Sequence, residues 1–477
     1  MSELPKGWKV VKFEALYDFV IGGDWGKAPD HIDAEFVDVR CIRGTEFRYW
    51  AKEKGKTAVP RRVKKSSLEK RKLELGDILV EISGGGPEQP VGRTVQIDQQ
   101  AISNANGMPL VCTNFTRLVR PSNQVNSAFL NYFLTNFYNS GEITKYQSGS
   151  NNLRNLQFKD YVKIGVPLAP LAEQKRIVEK LDEVLAQVDT IKARLDGIPA
   201  ILKRFRQSVL ASAVSGKLTE DSNADWVGCH LSDVSTFQNG YAFKSGWFSD
   251  EGDYQVIKLG NVKDDFLKLD AAPAYLSSKL GLEHIKFKPE IGDILLSMTG
   301  TKFKRDYGFC CMVDRELPIL INQRVGRIIP KRDKVMPDFL HLFLRSEVFR
   351  NQFFAGETGG VNQGNVGSKH IMAIQLSVPD LELQIEIAKK ARLLFTFADT
   401  IEAQVKKAQA RVDNLTQSIL AKAFRGELVP QDPNDEPADK LLERIAQARK
   451  EAEALAKAAK KAQSTKNTAK KKVAKSA

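Results

Sequence analysis

The sequence lacks the marks of a membrane-spanning, secreted or disulfide-bonded protein. It has no run of about eighteen apolar residues, the length that a transmembrane helix requires. The first residues, MSELPKGWKVV, contain no apolar signal-peptide region, so we expect no secretory signal. The cysteines at 41, 112, 229, 310 and 311 form no CxxC pair, and the five histidines are scattered. We therefore expect no metal site and no disulfide framework, in a protein of the reducing cytoplasm.

Motifs for catalysis and nucleotide binding are missing as well. There is no GxxxxGK[ST] phosphate loop, no GxGxxG turn and no NPPY-like methyltransferase motif. The glycine-rich stretches GGDWGKA and ISGGGPEQP lack the phosphate-loop spacing, and no local nucleophile motif occurs. We therefore predict a non-catalytic chain that binds no cofactor, and a stand-alone DNA-modifying enzyme is disfavoured.

Positive charge is abundant and unevenly placed. The net charge is +14 over 477 residues, and residues 441–477 alone carry +8 in an Ala- and Lys-rich segment. That segment is typical of a helix that frays into a solvated tail, or of a tail weakly attracted to nucleic acid. Residues 40–72 carry +10 and include Phe47, Tyr49 and Trp50. Basic residues interleaved with aromatic ones are more suggestive of nucleic-acid binding than charge alone, and a solvated surface is the alternative.

The chain also contains an internal repeat. QSVLASAVSGKL (207–218) and QSILAKAFRGEL (417–428) share seven of twelve residues, and residues 171–218 and 381–428 share 16 of 48. Upstream, LGDILVEIS (75–83) corresponds to IGDILLSMT (291–299). We therefore predict two copies of one unit, each a mixed α/β body followed by a helical segment.

The bodies contain short alternating runs that predict strands, namely EFVDVRCI, GDILVEI, YQVIKL and GDILLSM. Short helices are predicted at 126–139 and 336–350. We expect Gly216 and Gly426 to end the two long helical segments.

Each helical segment carries a heptad seam. A lone amphipathic helix usually packs on its own domain, but two equal seams in one chain favour antiparallel packing on each other. Pro199 predicts a kink or a helix restart in the first segment. The seam positions are Val184, Val188, Ile191, Leu195, Ile198, Leu202, Phe205 and Val209, and Leu394, Ala398, Ile401, Val405, Ala408, Val412, Leu415 and Ile419.

These helical segments carry a family resemblance. PLAPLAEQKRIVEKLDEVLAQVDTIKARLDGIPAILKRFRQSVLASAVSGKLTE (167–220) resembles the central conserved region of type I restriction-modification specificity subunits. ADTIEAQVKKAQARVDNLTQSILAKAFRGELVPQDP (398–433) resembles their distal conserved region, in the version of the enterobacterial type IA family. The bodies resemble the family in architecture alone, because its target recognition domains vary.

The resemblance implies an α+β fold: two mixed α/β target recognition domains, separated by two long antiparallel coiled-coil helices with an internal pseudo-twofold repeat. We place the recognition domains at 1–165 and 221–377, the conserved helical spacers at 166–220 and 378–430, and a basic tail at 431–477.

The resemblance further implies a subunit that reads a bipartite double-stranded DNA site, with helices that set the gap. Two methyltransferase subunits would methylate adenine with S-adenosylmethionine, and two restriction subunits would use ATP and Mg²⁺. A coiled-coil scaffold that binds only protein is the alternative.

Candidate DNA-binding residues are those with suitable donors in basic or glycine-rich loops. In the first body they are Arg43, Arg61, Arg62, Lys64, Lys65, Ser83, Arg93, Ser148, Ser150, Asn151, Asn152 and Arg154. In the second they are Lys302, Lys304, Arg305, Asn322, Gln323, Arg324, Asn362, Gln363, Asn365 and Lys369.

Overall fold

The computed structural model describes residues 4–86, 89–150, 153–219, 225–302, 304–360, 362–452 and 454–455. Their strands are β1 (Lys9–Lys12), β2 (Tyr17–Gly22), β3 (Phe36–Ile42), β4 (Val59–Lys64), β5 (Ile78–Glu81), β6 (Ser83–Gly84), β7 (Thr94–Gln96), β8 (Leu110–Cys112), β9 (Thr116–Pro121), β10 (Gln147–Ser150), β11 (Leu153–Leu156), β12 (Gly165–Leu168), β13 (Val227–His230), β14 (Ser235–Asn239), β15 (Tyr254–Ile257), β16 (Tyr275–Leu276), β17 (Ile294–Ser297), β18 (Thr299–Gly300), β19 (Cys310–Met312), β20 (Ile319–Ile321), β21 (Val325–Pro330), β22 (Glu357–Thr358), β23 (Gly364–Val366) and β24 (Gln375–Val378). The α-helices are α1 (Gly44–Phe47), α2 (Trp50–Glu53), α3 (Lys65–Arg71), α4 (Gln99–Asn104), α5 (Ser127–Asn139), α6 (Phe158–Tyr161), α7 (Leu171–Val214), α8 (Leu231–Val234), α9 (Ser278–Glu283), α10 (Pro337–Arg345), α11 (Glu347–Ala355), α12 (Ser368–Met372) and α13 (Leu381–Phe424).

The chain divides into two compact units, and the division falls within both long helices. The first unit comprises residues 1–193 and 409–477, and the second comprises residues 194–408. Each unit therefore contains one α/β body, the start of one long helix and the end of the other.

The two bodies repeat one topology, as the sequence repeat predicts. Among the described residues of the first unit, the sheets have the orders β1-β12, β2-β9-β5-β7, β4-β3-β8 and β10-β11-β6. The second unit has β13-β24, β14-β21-β17-β19, β16-β15-β20 and β18-β23-β22 in the corresponding places. The pairs β3–β8 and β15–β20 are parallel. The predicted mixed α/β fold and all four predicted strands are confirmed.

The repeated GDIL sequence forms the strand that divides two cores in the first unit. Residues of β5 are fully buried, with Ile78 and Val80 in one core and Leu79 in the other, because alternate side chains of a strand point to opposite faces. In the preceding turn Gly76 has φ +91°, a backbone conformation that glycine adopts without steric cost. The Asp77 carboxylate accepts from the Glu74 amide at 2.7 Å.

Both long helices run unbroken over 44 residues. They pack antiparallel, since Lys192 of α7 pairs with Asp413 of α13 at 2.5 Å in the first unit. In the second unit Arg206 of α7 pairs with Asp399 of α13 at 2.6 Å. Fourteen of the sixteen seam residues are buried or half-buried, whereas Ile191 and Leu415 are 45% and 44% exposed.

Two local predictions about helices need correction. The helix restart expected at Pro199 is wrong, because α7 continues through this residue, and a bend there stays a prediction. The single helix predicted at 336–350 is two helices, α10 and α11. The chain breaks at Ser346, whose hydroxyl accepts from the Phe349 amide and caps α11.

The ends of the long helices follow the predicted glycine stop. Gly216 and Gly426 have φ values of +76° and +74°. The amide of the next residue then reaches back to the helix, from Lys217 to the Ser212 carbonyl and from Glu427 to the Lys422 carbonyl, at 3.0 Å each. This pattern closes a helix with a glycine in the left-handed conformation.

A buried glutamine fastens the start of each long helix to its own body. The Gln174 side chain accepts a hydrogen bond from the backbone amide of Asn126 at 2.9 Å and donates one to the Ala169 carbonyl at 2.8 Å. Gln384 accepts from the Met336 amide at 2.7 Å and donates to the Pro379 carbonyl at 2.8 Å. Both glutamines are fully buried.

Part of the segment predicted as a basic tail is packed rather than extended. Residues 438–452 are helical, and Ala438, Leu441 and Ile445 are buried in the core of the first unit. The Ala438 amide donates to the Gly7 carbonyl at 2.9 Å, and Arg449 donates to the Tyr17 carbonyl at 2.5 Å. The segment predicted as a basic tail thus contains a packed helix at 438–452, and residues 456–477 lie outside the described residues.

Candidate nucleic-acid interface

The basic segment 40–72 of the first unit holds two kinds of cation. Arg62 is structural, because it donates to the Phe36 carbonyl at 2.9 Å and pairs with Asp38 at 3.1 Å. Arg61 lies over the Trp25 ring with 4.2 Å between guanidinium and ring centroid, and donates to the Trp25 carbonyl at 3.0 Å. Lys64 and Lys65 are exposed. The basic segment thus contains exposed lysines as well as arginines that bond to other parts of the fold.

Arg43 begins α1 and is held by a carboxylate one turn on. It makes two bonds of 2.6 and 3.1 Å to Glu46 Oε1, while its amide donates to Glu46 Oε2 at 2.6 Å. The hydrogen bond to Glu46 raises the pKa of Arg43. Its side chain stays 39% exposed, so Arg43 offers a fixed positive charge to a ligand.

Arg43, Ser83 and Arg93, three of the predicted residues, line one cavity of about 760 Å³. Its other lining residues come from the segment after β2, from α1 and the residues after it, from β5 and the glycine loop that follows, and from the β8–β9 connection: Trp25, Gly44, Thr45, Arg48, Tyr49, Glu81, Gly84, Gly85, Thr113, Asn114 and Phe115. The volume lies within the range of about 300–1,000 Å³ that ligand sites occupy.

Arg93 is committed to an internal ion pair in this cavity. Its guanidinium bonds both oxygens of Glu81, at 2.6 and 2.9 Å, and the Gly44 carbonyl at 2.9 Å. Burial opposes the charge on Arg93, but its hydrogen bonds and charge interaction with Glu81 prevail and raise its pKa. Arg93 therefore keeps its positive charge at neutral pH.

The hairpin β10–β11 continues the sheet beside the cavity. Arg154 and Asn155 of β11 pair with Gly84 and Ser83 of β6. Ser148, on β10, is exposed. Asn151 and Asn152 lie outside the described residues, and of Ser150 only the backbone is described.

In the second unit the predicted residues lie on three neighbouring segments. Asn365 of β23 accepts from the Thr299 hydroxyl of β18 at 3.0 Å. Arg305 has φ +47° and lies over the Phe354 ring with 4.9 Å between guanidinium and ring centroid. Asn322 and Lys302 are half-buried, and the other predicted residues are exposed: Lys304, Gln323, Arg324, Asn362, Gln363 and Lys369.

Aromatic residues are the main part of the surface that the candidate list missed. Tyr49 and Phe115 are 60% and 54% exposed in the first unit's cavity. In the second unit Tyr241 packs against His284 with 4.5 Å between ring centroids. The Tyr241 carbonyl accepts a hydrogen bond from the backbone amide of Gln323 at 3.0 Å. The sequence mixes tryptophan and lysine after both β2 and β14, and this was the available signal for Trp25 and Tyr241.

Arg48 was missed as well. It is exposed on the cavity. Among the arginines of this cavity it is the least committed to the fold, whereas Arg43 and Arg93 are each bound to a glutamate.

The part of the chain that the structure describes contains neither a metal site nor a membrane-spanning helix. No group of three or more His, Cys, Asp or Glu side chains there could hold a metal ion. None of the helices there has both the length and the apolarity to cross a bilayer.

The fold and the cationic, aromatic cavity together define a protein of two homologous binding modules joined by long helices. Residues 46–200 and 223–409 match the profile of the family described as type I restriction modification DNA specificity domain. The chain belongs to this family, and it is a specificity subunit, a non-catalytic DNA-recognition component of type I systems.

Named relatives agree with this assignment. The specificity subunit of the type I restriction enzyme EcoKI, from Escherichia coli K12, is 29% identical over 94% of this chain and 97% of its own length. That of EcoBI, also from E. coli, is 35% identical over 60% of this chain, and the match spans 64% of the relative's length. The solved HsdS subunit from Thermoanaerobacter tengcongensis is 17% identical with a TM-score of 0.56, over 89% of this chain and 98% of that one. A chain from a structure on complex assembly and conformational transition of the type I system has a TM-score of 0.62 at 15% identity, over 90% of this chain and 100% of that one.

Proposed function

We propose that each unit reads one half of a bipartite, asymmetric site in double-stranded DNA. This proposal rests on one observation: the two units have the same backbone pairing but different side chains at corresponding positions. The Glu81 amide donates to the Arg93 carbonyl at 2.9 Å, and the Ser297 amide donates to the Phe309 carbonyl at 3.0 Å. An ion pair in one unit thus corresponds to a hydroxyl and a phenyl ring in the other. Two readers with one fold and different side chains are suited to two different half-sites.

The long helices would set the gap between the half-sites. Their unbroken heptads support this role, because a continuous helix adds a fixed length per residue. One heptad inserted after residue 193, with a matching heptad before residue 409, lengthens each helix by about 10 Å. Since base pairs rise about 3.4 Å each, the gap should grow by about three base pairs. The same heptad inserted between Ala272 and Pro273, which are both exposed, is the control. A gap that stays constant in the doubly lengthened protein would refute the spacer role.

The remaining partners follow from the same proposal. The outer helix faces would dock two methyltransferase subunits, which methylate adenine with S-adenosylmethionine, and two restriction subunits would add ATP- and Mg²⁺-dependent cleavage. The complex would work in the cytoplasm. This division of labour agrees with a sequence that contains no phosphate-loop or methyltransferase motif.

Methylome sequencing tests the central claim. A host that expresses this chain with its methyltransferase should carry methyladenine in one motif of two short, different half-sites at a constant gap. The host with the methyltransferase alone is the control. Methylation without a motif, or a motif that survives without this chain, would contradict the proposal.

A protein-only scaffold is the competing function, and DNA binding separates the two. The scaffold predicts that adding this chain to the methyltransferase leaves the affinity for the motif unchanged. The cationic and aromatic cavity of the first unit favours DNA recognition, because such surfaces bind nucleic acids through charge and stacking.

A further inference from the structure

We infer that the cavity of the first unit receives a single nucleobase turned out of the DNA duplex. The inference rests on the proposed function and adds to it a specific ligand for one site. Three features of the cavity support it: an open floor that carries hydrogen-bonding groups, exposed aromatic walls and a cationic rim.

The floor is the ion pair of Glu81 and Arg93. The Glu81 side chain is 4% exposed, and each of its oxygens accepts a bond from Arg93. A carboxylate oxygen has two acceptor positions, so Glu81 can accept a further bond from a ligand. A nucleobase edge that presents an amine and a ring or carbonyl acceptor would match an acceptor beside a guanidinium.

Two glycines keep this floor open. A β-carbon built on Gly44 would lie 3.0 Å from Glu81 Oε1, and one built on Gly84 would lie 3.2 Å from the same atom. Both glycines line the cavity. Any larger residue at either position would therefore stand between a ligand and the carboxylate.

The walls are aromatic and stay exposed. Tyr49, Phe115 and Trp25 are 60%, 54% and 37% exposed, and all three line the same cavity. Stacking on an aromatic ring is worth about 1–3 kcal/mol per base. Arg48 is exposed on the same cavity, and Arg43 is 39% exposed, so both can attract the phosphates that flank an extruded base.

The cavity suits a base that has left the stack better than a base whose edge is read in the groove. A base within the stack presents only its edge, which leaves exposed rings without a stacking partner. An extruded base is held by stacking between aromatic or apolar side chains and by bonds to its Watson–Crick edge. The cavity offers both kinds of contact at one place.

The second unit does not repeat the arrangement. A β-carbon on Gly300, which corresponds to Gly84, would lie 2.6 Å from the Tyr307 ring and 2.7 Å from the Asp306 carboxylate. Side chains thus fill the space above this glycine. The inference therefore concerns the half-site of the first unit alone.

Mismatch binding is the test, with the complex of this chain and its methyltransferase on the motif found by methylome sequencing. A set of duplexes is used, one for each base of the half-site. In each duplex that base is unchanged and the base opposite it is replaced by a mismatched one. Because the mismatch removes part of the cost of unpairing, we expect about tenfold tighter binding at one position. That position should differ from the methylated adenine, which the methyltransferase itself must reach. An abasic site at the same position should lose this gain.

Variants of this chain then assign the effect to the cavity. Gly44→Ala should abolish the mismatch gain and also weaken binding to the matched site, because the same base enters the cavity in both complexes. Gly86→Ala is its control, because a β-carbon there meets no atom within 4 Å. Phe115→Ala should reduce the gain, whereas Leu75→Ala, which removes an exposed side chain outside the cavity, should not.

The outcomes are distinct for the two proposals. A gain confined to the methylated adenine, no gain at any position, or a gain that persists in Gly44→Ala overturns the inference and leaves half-site reading intact. Failure of the complex to prefer its motif at all overturns the proposed function itself.

Discussion

The buried glutamines that start the long helices give a prediction that can be worked out from their contacts. Gln174→Ala removes one bond to the Asn126 amide and one to the Ala169 carbonyl. Each lost bond leaves a polar group with little access to water, at a cost of about 1–3 kcal/mol. Because Asn126 also caps α5 by accepting from the Ala128 and Phe129 amides, the loss should destabilise that helix by about 3 kcal/mol in total.

Hydrogen exchange followed by mass spectrometry measures this loss locally. A fall of about 3 kcal/mol in opening free energy accelerates exchange roughly a hundredfold in peptides of α5, residues 127–139. Gln384→Ala should accelerate exchange in the same way in α10 of the second unit. Each variant should leave the helix of the other unit unchanged, so each is a control for the other. Gln187→Ala, an exposed change on α7, should alter neither. The proposed role of the glutamines would be refuted if either variant accelerated exchange equally in α5 and α10. It would also be refuted if the acceleration in the expected helix were less than threefold.

Three further predictions concern glycines of the long helices, a buried histidine and a surface arginine. Gly426→Ala puts a β-carbon 2.2 Å from a proline ring carbon at φ +74° and should destabilise the chain by about 1–3 kcal/mol in urea unfolding, whereas Gly197→Ala, with open space inside α7, should stabilise it by about 0.5–1 kcal/mol. Burial lowers the pKa of His341 to about 3, so the unfolded chain takes up a proton first and stability should fall as the pH drops from 6.5 towards 3; His341→Leu should flatten that part of the profile. Arg305→Ala should weaken DNA binding and reduce the slope of log affinity against log salt by about 1, while Arg315→Ala should change neither, and equal slopes would remove Arg305 from the interface.

The fold could be predicted from the sequence because its determinants are local and occur twice. Strands such as β5 and β17 follow a Gly-Asp turn and consist of apolar residues, and the helix ends carry glycine at corresponding places. Repetition at a nearly constant offset then indicated which segments were equivalent. The break at Ser346 was missed because a serine within an amphipathic stretch is compatible with a helix, and only its capping bond shows otherwise.

The candidate site was less predictable, because a sequence does not show how a cation is used. A basic or glycine-rich segment does not show that Arg62 bonds backbone carbonyls or that Arg93 pairs with a buried carboxylate. Phe115 reaches the cavity from the β8–β9 connection, far along the chain from Arg43. The packed segment 438–452 was missed for a related reason: its apolar residues are few among many charges, and their partners lie at the other end of the chain.

The core of each unit contains residues from both long helices. The core of the first unit contains Ile177 and Leu181 from the start of α7, and Leu420 and Phe424 from the end of α13. Phe424 packs on Phe129 of α5 with 5.3 Å between ring centroids. A body without the distal helix end would expose this surface, at about 25 cal/mol per Å² of apolar area. A body without both helix ends would therefore lack part of its own core. The pairing of the long helices thus follows from the same contacts that stabilise each recognition unit.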